Sequence, residues 1–156
     1  MSRSWSSLLL PPVADNSVKG TKLPAALFFV IAVVSTVRSC IHLFSADGGA
    51  GSIAGMDLAV SGADGIVFAF ALWGSAQLVY ALVQLTVAFR HRSLVPLMYV
   101  LFILEVLLRM LVGRLRPVTF AHTPPGAWGN YVMPPIALAM LVLSLLTGLR
   151  SIKGSR

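Results

Sequence analysis

The sequence predicts an all-α protein, an antiparallel four-helix transmembrane bundle. Three observations predict it. Residues of the AVILMFWYC set make up 57% of the 156-residue chain, against roughly 45–50% in an ordinary soluble domain. Charged residues are 11%, where about 25% is usual. Long apolar runs recur along the chain, each close to the ~20 residues needed to cross hydrocarbon. A soluble globule of this size needs far more polar surface, and four spans leave only short loops and tails. A conventional cytosolic enzyme, a disordered chain and a disulfide scaffold are therefore excluded. Cys40 is the single cysteine, so no internal disulfide and no paired-cysteine metal or redox site can form.

Residues 1–22 read as a cytoplasmic N-terminal tail. Leu8-Leu9-Leu10 is followed by Pro11-Pro12, too short for the 7–15-residue apolar region of a signal peptide. Trp5 and this patch suit the membrane interface, and a free tail is the equal alternative. The four-helix domain covers residues 23–149. The first span is expected over 23–44, with Pro24 in the first turn, where a missing N–H costs least. Arg38 and His42 fall four residues apart, on one face. A Gly-, Ser- and Asp-rich loop follows, and its Ile53, Met56, Leu58 and Val60 are apolar enough to fold onto the bundle mouth. The second span is expected over 64–89, capped by Ser61 or Asp64. Trp73, Gln77, Tyr80 and Gln84 form one stripe along it, and Gly74-Ser75-Ala76 permits close packing. After the basic turn Arg90-His91-Arg92, the third span is expected over 94–113. It carries Glu105 and Arg109 in the favoured order for a helical ion pair. The fourth span is expected over 129–149, with Asn130 and Tyr131 at its mouth and Pro134-Pro135 in its first turns. Residues 150–156 form a basic tail.

The formal net charge is +7. In this composition it reads as orientation rather than nucleic-acid binding, so no nucleic-acid partner is expected. Arg3, Lys19, Lys22, Arg90, Arg92, Arg150, Lys153 and Arg156 collect on one side, and only Arg114 and Arg116 stand outside the spans on the other. The asymmetry fits the positive-inside rule and predicts both termini cytoplasmic in a bacterial inner membrane. The two exceptions are expected to snorkel or to pair with Asp47 or Asp57.

This orientation gathers polar groups in the outer half of the bundle: Arg38, His42, Trp73, Gln77, Glu105, Arg109, Asn130 and Tyr131. A charge in hydrocarbon is costly and normally faces the interior with a partner. Glu105 is expected within reach of Arg109 on its own helix and of Arg38 across the bundle. Three readings stand. The cluster is an ion-pair clasp that fixes helix register. It is a site for an anionic or polar ligand held by two arginines. Or Glu105 and His42 handle protons. No cofactor is named by the residues.

Several strings resemble an uncharacterised group of small bacterial four-span membrane proteins. They are Asp47-Gly48-Gly49, Trp73-Gly74-Ser75-Ala76-Gln77, the stretch Arg92 to Tyr99, Glu105 with Arg109, and Pro125-Gly126-Ala127-Trp128-Gly129-Asn130-Tyr131. The resemblance covers about residues 38–146, implies four spans, and carries over no catalytic residue. In span number and size alone the architecture is similar to DoxX-like four-helix membrane proteins.

The function expected is a non-enzymatic inner-membrane protein with a polar pocket in the outer half. It would bind a membrane lipid or amphipathic small molecule, or serve as a subunit of a homo-oligomer or larger membrane complex. The alternatives are a small membrane enzyme or redox accessory acting on a quinone or isoprenoid, and a minimal four-span transporter working as a dimer.

Overall fold

The computed structural model of the chain describes residues 5–154. Its elements are α1 (Trp5–Leu9), α2 (Leu23–Phe44), α3 (Ala63–Arg90), a 3-10 turn (Arg92–Leu94), α4 (Val95–Leu115) and α5 (Pro125–Gly154). There is no strand among the described residues. Helices α2 to α5 are each long and apolar enough to cross a membrane, so this is a multi-pass membrane protein with an all-α four-helix bundle.

The helices pair as two antiparallel hairpins, α2 with α3 and α4 with α5, joined mainly through α2. Gly74 allows the closest approach within the first hairpin. A Cβ there would lie 2.8 Å from the Cβ and backbone carbonyl carbon of His42, so only a hydrogen fits between the two backbones. The hairpins join at the end of the bundle that carries the chain termini. Phe28, Ile31, Val87, Ala88, Val95, Met98, Tyr99 and Phe102 form the buried apolar cluster there, which extends to Val106 and Ala137. The Tyr99 ring meets Phe28 edge-on at 5.8 Å, and its hydroxyl donates to the Pro24 carbonyl at 2.8 Å. That bond satisfies the one polar atom a buried tyrosine brings into hydrocarbon.

Towards the other end the packing opens. Beyond Val106 no residue of α4 is buried, and only Arg109 and Met110 are even half-buried. The loop between α2 and α3 closes part of this mouth. Ala50 and Ala54 are buried in it, whereas Val60 is exposed. The loop also meets the α4–α5 connection, where Ala121 N–H donates to the Gly55 carbonyl at 2.8 Å.

Two local expectations are corrected, and two sets of alternatives are narrowed. Neither Ser61 nor Asp64 caps α3; the cap position is Gly62 at φ 87°, with no side-chain bond, a left-handed turn that glycine adopts without strain. Helix α5 begins at Pro125, a full turn before residue 129, so Pro134 and Pro135 lie inside the helix. Having no N–H, they leave the carbonyls of Asn130 and Tyr131 without their helical donors. The segment preceding α2 is tied down rather than free. Ser93 Oγ donates to the Asp15 carbonyl at 2.9 Å, Thr21 N–H donates to Thr147 Oγ1 at 3.2 Å, and Leu8 is buried against the backbone face of Gly148. Finally, Arg114 and Arg116 are exposed and pair with neither aspartate. Asp47 instead accepts from the backbone N–H groups of Gly49 at 2.8 Å and Ser52 at 2.6 Å, and Asp57 from that of Ala59 at 2.8 Å.

Candidate functional site

The polar side chains of α2, α3 and α4 converge where the two hairpins begin to part. Arg38 Nη2 donates to Gln77 Oε1 at 2.6 Å. Gln77 Nε2 donates to Glu105 Oε1 at 3.4 Å, and Glu105 Oε2 holds Arg109 Nη2 at 3.3 Å. The amide orientation is fixed by chemistry, since a guanidinium only donates and a carboxylate only accepts. The result is a relay of four side chains across three helices, with two positive charges and one negative.

A second layer orients Arg38. Its guanidinium carbon lies 5.4 Å from the Trp73 ring centroid, within cation–π range. Trp73 also neighbours His42, 4.8 Å between centroids, and Phe70 meets both rings edge-on. His42 is buried and its Nδ1 lies 2.8 Å from the Gly48 carbonyl. That bond calls for a proton on Nδ1 and ties α2 to the loop above. Asp47 beside it has its pKa lowered to about 2, chiefly by the backbone N–H of Ser52 and then that of Gly49.

Behind the relay lies a cavity of about 20 Å³, room for about one water. Ser35, Arg38, Ser39, Gln77, Tyr80, Gln84, Phe102 and Glu105 line it. This small void, with the relay as its wall, is not of a size to hold the lipid or small molecule expected there. On the open side, the Arg109 and Glu105 side chains keep 26% and 29% of their surface exposed.

The expected site residues divide into two groups. Arg38, His42, Trp73, Gln77, Glu105 and Arg109 come together. Asn130 and Tyr131 stand apart on α5; Tyr131 is 69% exposed, and neither lines the cavity. Glu105 meets Arg109 directly, as expected, but reaches Arg38 only through Gln77. Gln84 was legible as the end of the stripe on α3 yet was not counted among the site residues. Ser35 and Ser39 gave no signal, because a serine in an apolar helix usually bonds its own backbone, as Ser39 Oγ does to the Ser35 carbonyl at 2.7 Å. Among the described residues no three His, Cys, Asp or Glu side chains converge as a metal site would require.

Comparison of the chain with family models, with curated proteins and with solved structures finds no match.

Proposed function

We propose that this is a non-enzymatic protein of the bacterial inner membrane, with both termini cytoplasmic, that binds the anionic head of a lipid or amphipathic molecule at Arg38 and Arg109. The observation that carries the reading is the charge imbalance of the relay: it holds two guanidiniums and one carboxylate, and the carboxylate pairs directly with Arg109 alone. Among the described residues Arg38 has only a neutral amide oxygen and an aromatic face as partners. A cation at this depth is costly without a counter-charge, and an anion supplied from the membrane would provide one. Guanidiniums suit that task because their donors match phosphate and carboxylate oxygens two at a time.

The parted hairpins give the route. An amphipathic molecule would approach from the bilayer between them, its tail against the exposed apolar residues Leu107, Leu108 and Leu111 of α4. Its head would reach Arg38 past the partly exposed Glu105–Arg109 pair. The void behind the relay is too small to hold a headgroup, so binding is to the face of the relay. Cytoplasmic termini would place this face in the outer half of the membrane.

Native mass spectrometry of the detergent-purified protein tests the reading. Wild type should retain an anionic lipid that Arg38→Leu loses, with the variant still folded by thermal melt. A folded Arg38→Leu protein carrying the same anionic lipid as wild type would end the proposal.

A further inference from the structure

The cavity behind the relay contains a feature that no anion at Arg38 would satisfy. Gln84 is 0% exposed, and both its amide oxygen and its amide nitrogen lack a hydrogen-bond partner among the described residues, as does the buried Tyr80 hydroxyl. Gln84 follows Gln77 by two helical turns, about 10 Å along α3. It is therefore the deepest polar group on that helix face before the apolar cluster begins. Buried polar groups in native proteins are paired with protein or with ordered water. Among the described residues none of these atoms completes a hydrogen bond of ordinary geometry; the Tyr80 hydroxyl and the Gln84 amide lie near enough to interact with each other, which still leaves the Gln84 amide without its full set of partners.

We infer that the cavity bounded by Ser39, Gln77, Tyr80, Gln84, Phe102 and Glu105 is a binding site for ordered water, and that this water extends the relay from Glu105 inward to Gln84. The volume fits. The cavity measures about 20 Å³, against the roughly 10–15 Å³ that one water requires. The chemistry fits as well, because a buried water needs two to four polar partners. Gln84 offers an acceptor and a donor, Tyr80 a hydroxyl, and Glu105 a carboxylate on the facing helix. Tyr80 also packs against the apolar cluster around Phe28 and Tyr99. That cluster bounds the cavity towards the chain termini, so the ordered water reaches no further than Gln84. The inference stands whether or not an anion binds at Arg38.

The three tyrosines of the chain make the test internal to the wild-type protein. Tyr131 is largely exposed and Tyr99 is fully buried in the apolar cluster, while Tyr80 borders the cavity. Short radiolytic pulses generate hydroxyl radicals from whatever water is present, and rapid mixing into 18O water marks the source of that oxygen. Tyr131 should be oxidised with bulk 18O at once. Tyr80 should be oxidised with 18O that lags behind bulk exchange, and Tyr99 should stay unmodified. Tyr80 as silent as Tyr99 would mean a dry cavity, and Tyr80 following bulk as Tyr131 does would mean an open surface; either overturns the inference. Gln84→Met gives a second arm. Loss of a hydrated amide should lower the melting temperature in detergent, whereas removal of an unpaired amide from a dry void should raise it, and a rise overturns the inference. The footprint needs no variant, so it decides even where Gln84→Met fails to fold.

Discussion

Arg38 and Glu105 face each other across the bundle without touching: the Gln77 amide stands between them, accepting from Arg38 at 2.6 Å and donating to Glu105 at 3.4 Å. A direct pair would have cancelled both charges. The interposed amide transmits orientation but no charge, and it leaves Glu105 committed to Arg109 on its own helix. The geometry therefore fits a clasp at one end of the cluster and, on the function proposed above, a ligand site at the other. The Glu105–Arg109 end is neutral, and the Arg38 end is the part that keeps a charge to offer.

Replacing the bridge should destabilise the bundle. Gln77→Leu strands Arg38 beside Trp73 with no acceptor, and leaving a buried donor unpaired costs about 1–3 kcal/mol. Thermal melts in detergent should show the loss. Gln77→Glu should restore Arg38 at the expense of a second carboxylate beside Glu105, and should therefore recover only part of it. A Gln77→Leu protein as stable as wild type would remove the relay as a structural element.

The ion pair should behave asymmetrically. Glu105→Gln leaves Arg109 with no counter-charge, and breaking a buried pair from one side costs about 3–5 kcal/mol. Both side chains are about a quarter exposed, so the loss should fall at or below the lower end of that range. Glu105→Leu combined with Arg109→Leu should regain most of the stability. A double variant no better than the single one would show that Glu105 is held in place for Arg38 rather than for Arg109.

Gly74 should tolerate no side chain. Gly74→Ala places a methyl 2.8 Å from the His42 Cβ and backbone, and overpacking of this kind costs about 1–3 kcal/mol. It should also shift His42 and weaken its bond to Gly48. Gly113→Ala is the control, because a Cβ at Gly113 meets nothing within 4 Å. There the better helix former should be neutral or stabilising by about 0.5–1 kcal/mol. Melting curves of the two variants should separate in opposite directions.

Acid should loosen the loop above the site. The Asp47 carboxyl lies at about 2 when folded against 3.8 as its ordinary value. A lowered folded pKa means stability that is full above about pH 4 and is lost as pH falls towards 2. The aspartate is solvent-accessible, so the effect on global stability should be small. It should be visible locally, as faster amide hydrogen exchange at Gly49 and Ser52 below pH 4, once the intrinsic pH dependence of exchange is removed. Asp47→Asn should show the faster exchange already at neutral pH.

Topology rests on the basic side chains and is open to direct labelling. In a Cys40→Ser background, Ser52→Cys should react with a membrane-impermeant maleimide from outside the cell. Ser155→Cys, which lies beyond the described residues, should react only after the membrane is opened. The reverse pattern would invert the protein and place the relay face in the inner leaflet.

Composition and the length of the apolar runs determined the fold class by themselves, because lipid admits very few ways to satisfy a backbone. They also determined span number and the pairing of Glu105 with Arg109, which are local properties of one helix. Which groups meet between helices was decided only by tertiary packing. Arg38 is joined to Glu105 through Gln77 because Gly74 sets how closely α3 approaches α2, and no spacing along the chain records that distance. Asn130 and Tyr131 are assigned to the site by residue count alone, yet neither lines the cavity, because residue count gives depth whereas azimuth follows from how the hairpins dock. Gln84 was visible as part of a stripe, but its burial depends on Phe102 of α4 and on the apolar cluster closing beneath it. The capping of α3, the start of α5 and the tethering of the N-terminal segment were likewise decided in three dimensions. For the N-terminal segment the deciding contacts are those with Ser93, Thr147 and Gly148, residues 78 or more positions away in the chain.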